Sequence, residues 1–388
     1  MPAVSALALV LAALGMALLF FALIPGVGAF GVRWQWRLFR RRMLEASLAP
    51  FLRYSDLGGA EGRHGDFRVF GELEAIQGRD RIWINTGQFT VEADLEGVRL
   101  YLLPSLSGGG LPEPLPDEEP AVAPWSRVFS LPSGMRLFMG GSLFLEEGRG
   151  VFRSSPGTPL LLVFYDGERE SILKRAIWGG RKRNEYWNPF TLPSLLTGFL
   201  CLALLAYLSL RSSQAGLPGL AVLSLAAAPA APFLPPGVAL YYLYRWFWKM
   251  ARRLRAERDL LRLPLRYFPE AGGGERTALL PTGERYLMCR EGALEVQGEP
   301  ETRQCSRHPD AGESWLFGAV EESEGRRTLR RPADPMAELL RIPGEPAALA
   351  ALCERTARWY ELAAAACFAT GLGINLFVVL LLLARLLG

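Results

Sequence analysis

Four long apolar runs with no charge at their centres constrain this chain more than any other feature. Val4 to Ile24 has about the 20 residues that a helix needs to cross a hydrocarbon core. The runs from about Leu192 to Leu210 and from about Leu362 to Leu387 meet the same criterion. The third, about Leu217 to Tyr244, is long enough but carries Pro229, Pro232, Pro235 and Pro236. Each proline removes a backbone donor, so this run predicts one kinked span. The alternative is a pair of re-entrant half-helices whose freed polar groups are met by protein or water.

Charges set the expected orientation, because lysine and arginine are retained on the cytoplasmic side of short flanks. Arg33, Arg37, Arg40, Arg41 and Arg42 follow the first run, and no basic residue precedes it. A secretory signal peptide has the reverse polarity, so the first run reads as a retained anchor. Lys174, Arg175, Arg181, Lys182 and Arg183 precede the second run, and Arg245, Lys249, Arg252, Arg253, Arg255 and Arg258 follow the third. Four spans put all three clusters on one side. The expectation is a multi-pass protein of the cytoplasmic (inner) cell membrane, with its soluble domains cytoplasmic and both chain ends outside.

Large rings accompany the cations: Trp34 and Trp36, Trp178, Tyr186 and Trp187, then Tyr241, Tyr242, Tyr244, Trp246 and Trp248. Such rings settle at headgroup level beside anionic lipids. The expected membrane-interface set is Arg33, Trp34, Trp36, Arg40, Arg41, Trp178, Arg181, Trp187, Arg245, Trp246, Trp248 and Lys249. Its plain reading is anchoring to a bilayer with anionic headgroups, weighted above recognition of a specific lipid.

The predicted organisation is a first transmembrane helix within 1–30, a cytoplasmic β-rich domain at 31–190 and a transmembrane hairpin of helices two and three at 191–250. A second cytoplasmic domain follows at 251–345, and a long helix at 346–388 contains the fourth span. Within the first domain, Phe39, Met43, Ala46, Leu48 and Phe51 have helical spacing that suits a segment lying along the membrane. The period then changes to two through Phe67 and Val69, Phe89 to Leu95, and Val98 to Leu102. A polar, glycine- and proline-rich stretch at 105–124 reads as a flexible insertion. Strands resume at Arg127 to Leu131, Arg136 to Gly140, Leu143 to Glu146, Val151 to Arg153 and Leu160 to Tyr165. Ser133-Gly134 and Glu147-Gly148 supply turns. Closely spaced short strands predict a small barrel or sandwich.

Two stretches carry a family resemblance. Leu131 to Leu143, with Arg149 to Phe152 and Pro159 to Tyr165 ahead of a span, resembles the end of GIDE domains, and Val69-Phe70-Gly71-Glu72-Leu73 is similar to their first strand. The resemblance covers roughly a third of the chain. It implies an OB-like β domain held between membrane helices, as in a mitochondrial ubiquitin ligase and in bacterial membrane proteins. The zinc-ligand pattern of the ligase RING is absent, so no ubiquitin chemistry is implied.

In the second domain, Leu254, Leu260, Leu261 and Leu263 alternate with arginines on a juxtamembrane helix that Pro264 ends. Strands are expected at Arg285 to Arg290, Ala293 to Gln297 and Trp315 to Glu321, in a mixed domain small enough to gain from docking on the first. Pro346 suits a helix's first turn, and the next roughly 42 residues lack proline, predicting one rod of about 63 Å. Within it, Ala363, Cys367 and Gly371 recur every four residues ahead of Asn375. That pattern favours close helix packing inside the chain, with homo-oligomerisation through the fourth span as the alternative.

Chemical signatures are missing. There is no phosphate loop, zinc-protease helix or nucleophile elbow, and no ionisable residue lies in the centre of a span. A net charge of +4 over 388 residues argues against nucleic acid. The five cysteines read as reduced packing residues, and Cys305 with His308 makes an isolated C-x-x-H short of four zinc ligands. The resulting expectation is an α+β membrane protein with four transmembrane helices, an OB-like small β-barrel or sandwich and a second small α+β domain. Its expected role is a non-enzymatic scaffold without cofactor, presenting β surfaces to a protein partner. The alternative is an enzyme or carrier acting on lipid-linked substrates through a groove near the kinked third helix.

Overall fold

The computed structural model describes residues 6–387 apart from 79, 106–114, 116–117, 124–131, 182, 212–215, 269–274, 308–311 and 324–325. Two compact units emerge. One comprises Met1–Arg37, Arg183–Arg252 and Arg355–Gly388, and the other Leu38–Lys182 with Arg253–Glu354.

The first unit is helical, and among the described residues three of its helices have one end in the second. α1 (Ala6–Leu18) leads through a π-turn at Leu19–Leu23 into α2 (Ile24–Leu48). The π-turn has a local cause: Pro25 has no N–H and its ring crowds the preceding turn, so the helix widens just before it. α4 (Thr191–Arg211) follows, then α5 (Gly216–Ala226). The third apolar run does not stay helical. Between α5 and α6 (Val238–Arg262) lie turns, a short 3-10 segment at Ala231–Phe233 and a cis Pro235-Pro236 bond, as four prolines within eight residues dictate. α7 (Pro346–Leu387) has 42 residues. Three helices, Ala6–Leu48, Thr191–Arg211 and α7, are long and apolar enough to cross a membrane among the described residues. The fourth expected span is the broken α5–α6 run, and α5 by itself is too short to count.

The second unit contains both soluble regions. β1 (Gly62–Gln77), β2 (Arg81–Asn85), β3 (Thr90–Asp94), β6 (Arg136–Glu146) and β7 (Arg149–Arg153) form a closed circuit, because β1 pairs with both β2 and β6. The β3–β7 pairing is parallel, and β2–β3, β6–β7 and β1–β6 are antiparallel. Val69, Leu73, Ile82, Ile84, Val91, Ala93, Leu143 and Phe152 fill its core. β8 (Leu161–Phe164), β4 (Leu100–Leu102) and β5 (Ala121–Ala123) extend the sheet from β6, and α3 (Ser171–Trp178) follows β8.

Several expectations are corrected here. β5 is an ordered strand inside the insertion expected to be flexible throughout, because Ala121-Val122-Ala123 can pair with β4. The two strands expected at 136–140 and 143–146 are one, and β2 was not anticipated. The apolar stripe of Phe39, Met43 and Ala46 packs on the sheet rather than lying along a membrane. Phe39 sits 4.3 Å from Tyr101, and a Cβ on Gly140 would come within 2.6 Å of the Ala46 Cβ. Gly140 is what admits the helix. The strand expected at Arg127 to Leu131 lies outside the described residues.

The second soluble region adds β9 (Arg276–Leu279), β10 (Arg285–Arg290), β11 (Glu295–Val296), β12 (Glu301–Thr302), β13 (Ser314–Ser323), β14 (Arg326–Arg330) and β15 (Leu340–Pro343) in one seven-stranded sheet. It joins the first through ion pairs, of which Arg68–Asp334 is fully buried at 2.6 Å. Lys174 bridges to Glu301 and Glu338, and Arg181 to Asp259.

Candidate functional site

Helices that lie against each other across apolar surface must still satisfy every freed backbone group. Pro25 and the π-turn before it release the carbonyls of Phe20 and Phe21. Ser194 Oγ donates to Phe20 O at 2.6 Å and Tyr186 Oη to Phe21 O at 2.7 Å. Asn188 Nδ2 donates to Pro25 O at 2.9 Å, with no room to spare: a Cβ on Gly28 would stand 2.1 Å from the Asn188 side-chain oxygen. Asn188 Oδ1 accepts from Phe190 N at 3.0 Å, and the Thr191 hydroxyl donates to Tyr186 O.

The break in the third run is closed in the same way. Asn375 of α7 accepts from Gly237 N at 2.9 Å and donates to the carbonyls of Ala231 and Leu234. Gly371, one turn earlier, packs against Gly237 and Leu240. Ser224 Oγ donates to Leu376 O at 2.8 Å, while Phe368 meets Tyr244 and Tyr360 meets Trp246 and Phe247. α6 and α7 therefore run antiparallel, with the small-residue stripe used inside the chain. Ala363 and Cys367 on that stripe are half-buried.

These contacts leave a cavity of about 640 Å³ inside the helical unit, within the range of about 300–1,000 Å³ usual for ligand pockets. At one end it is lined by Ala17, Phe21, Leu225, Pro229, Leu372 and Leu376, and at the other by Arg33, Asn184, Glu185, Tyr244, Trp248 and Glu361. Glu361 and Leu376 lie on the same helix 15 residues apart, so the lined length is about 22 Å.

The polar end is organised around Glu185, which is buried. Arg252 Nη2 lies 2.6 Å from Glu185 Oε2 and Arg33 Nε 3.7 Å from Oε1. The Arg252 guanidinium stands 4.4 Å above the Trp248 ring. Asn184 Nδ2 reaches Tyr244 Oη at 3.5 Å. The buried Trp248 Nε1 has no hydrogen-bond partner among the described residues. A buried indole donor without an acceptor costs free energy unless a ligand or water supplies one.

The expected interface residues divide. Arg33, Trp187 and Trp248 line the cavity. Trp34, Arg41, Arg245, Trp246 and Lys249 are exposed, Arg41 pairing with Glu45. Trp36, Arg40 and Trp178 are half-buried, and Arg181 pairs with Asp259, both within the second unit. Sequence reasoning missed Asn184, Glu185 and Glu361. Their signal was a carboxylate set among rings and cations beside a span.

Elsewhere, Cys305 and Cys353 are joined as a disulfide, which corrects the expectation of reduced thiols for that pair. Cys201, Cys289 and Cys367 are free. Burial, helped by Glu275, pushes the Cys289 thiol up to about 11. His308 lies outside the described residues. No family model matches the chain, and no curated protein or solved structure matches it.

Proposed function

We propose that this protein is a membrane protein that holds an amphiphile, a lipid or lipid-linked molecule, in the cavity of its helical unit. One observation carries the reading: the cavity changes from wholly apolar to charged and aromatic along about 22 Å of helix. That gradient matches a molecule with an acyl or isoprenoid tail and a polar head. Arg33 and the Trp248 N–H offer donors to an acidic headgroup, and Glu185 fixes the arginines. The aromatic rings of Tyr241, Tyr244 and Trp248 occupy the depth at which headgroups sit.

In this reading α5 and α6 together make the third of four spans, the arginine-rich flanks face the cytoplasm, and both chain ends lie outside. The closed five-strand circuit with a parallel β3–β7 pairing supports an OB-like barrel for the first soluble region. A scaffold role remains a second reading, supported by the open edge of β9, where Leu279 is 72% exposed and the strand has pairing groups to offer.

The test is native mass spectrometry and lipid extraction of the detergent-purified protein. A bound lipid is expected in the wild type and is lost or reduced about tenfold on filling the cavity with Ala228→Trp or Ala365→Trp, a change of about 1.4 kcal/mol in binding. Equal lipid retention in the filled variants would sink the assignment.

A further inference from the structure

The deeper chemistry sits in the other unit, where three segments distant in sequence converge. Glu257 on α6, Cys305 in the loop after β12 and Cys353 on α7 are all buried, and their ligating atoms lie within 4.8 Å of one another. The carboxylate is already held in place. Glu257 Oε2 accepts from Ser306 N at 3.0 Å and from Ser306 Oγ at 2.9 Å, while among the described residues Oε1 accepts from Arg253 Nε at 2.9 Å. Among the described residues one Oε1 lone pair is left over, and a carboxylate oriented by outer hydrogen bonds is the usual condition of a metal ligand.

We propose that Glu257, Cys305 and Cys353 form, when the cysteines are reduced, a site for a thiophilic divalent cation of the zinc class. Two thiolates and one carboxylate are a donor set that zinc accepts at about 2.3 Å for sulfur and about 2.1 Å for oxygen, with a fourth position for water. The disulfide excludes the metal. Its cleavage takes two electrons and two protons from a cellular thiol reductant, which is oxidised to its own disulfide; zinc then displaces both thiol protons to solvent as two metal–sulfur bonds form. Cytoplasmic exposure of the arginine-flanked face would keep the pair in the reduced, metal-binding state.

The experiment uses the full chain in detergent, reduced, incubated with zinc chloride and desalted. About one zinc per chain is expected by elemental analysis, retained in Cys289→Ser and lost in Cys305→Ser and Cys353→Ser. Glu257→Gln should weaken zinc affinity about tenfold or more. The wild type gives a second readout that does not depend on a variant folding: zinc should protect Cys305 and Cys353 from iodoacetamide until a chelator is added. Equal zinc in wild type and Cys305→Ser, equal alkylation with and without zinc, or a Cys305–Cys353 bond that survives the reductant would each overturn the proposal.

Discussion

Asn375 shows how one side chain can hold a broken segment. It accepts from Gly237 N and donates to the carbonyls of Ala231 and Leu234, which also take the backbone N–H of Leu234 and Val238. Asn375→Leu is expected to cost about 1–3 kcal/mol, read as a lower thermal midpoint in detergent, because the buried Gly237 N–H loses its acceptor without gaining water. Arg68 and Asp334 pose the opposite case: both side chains are fully buried, and the Arg68 Nε and Nη1 atoms have no hydrogen-bond partner among the described residues. Asp334→Ala should destabilise by about 3–5 kcal/mol, whereas the double change Arg68→Met with Asp334→Leu should recover most of that in denaturant titration, since no charge is then stranded. Glu338 adds a pH dependence. Burial pushes its carboxyl up, but Arg303 and Lys174 outweigh that and hold it below the ordinary value of 4.5. A carboxyl depressed by folding stabilises above its unfolded value, and the gain fades as pH falls from about 4.5 through the lower folded value. Glu338→Gln should therefore flatten the acid limb of a stability–pH curve.

At the scale of elements, packing decided roles that local pattern left open. The stripe of α2 that suits a membrane surface is instead spent on the β sheet, because Gly140 opens a place for Ala46. Gly140→Leu is expected to displace that helix segment and lower the thermal midpoint by several degrees, with far-ultraviolet circular dichroism retained. The β6–β7 hairpin was readable directly: Glu147 and Gly148 both have positive φ, 51° and 74°, as a two-residue turn between strands requires. α7 was readable too, since nothing between Pro346 and Leu387 interrupts a helix. β5 was harder. It is three residues long and pairs with β4, which itself pairs with β8 far away in sequence.

For the whole molecule, the proposed topology predicts that single cysteines placed at Ser213 and at Pro2 label with an impermeant maleimide in intact cells, in a background without native cysteines. Cysteines at Glu96 and Glu322, both on exposed soluble surface, should label only after lysis. Labelling of the latter pair in intact cells would reverse the orientation and with it the case for a reduced Cys305–Cys353 pair.

Sequence by itself determined the apolar runs, their basic and aromatic borders, the proline break and the unbroken final helix, because length, charge and missing backbone donors act locally. Tertiary structure alone decided the rest. Arg33, Glu185, Trp248 and Glu361 belong to four separate segments, as do Glu257, Cys305 and Cys353 to three, and only packing brings such groups within reach of one ligand. No local period records a distance between segments.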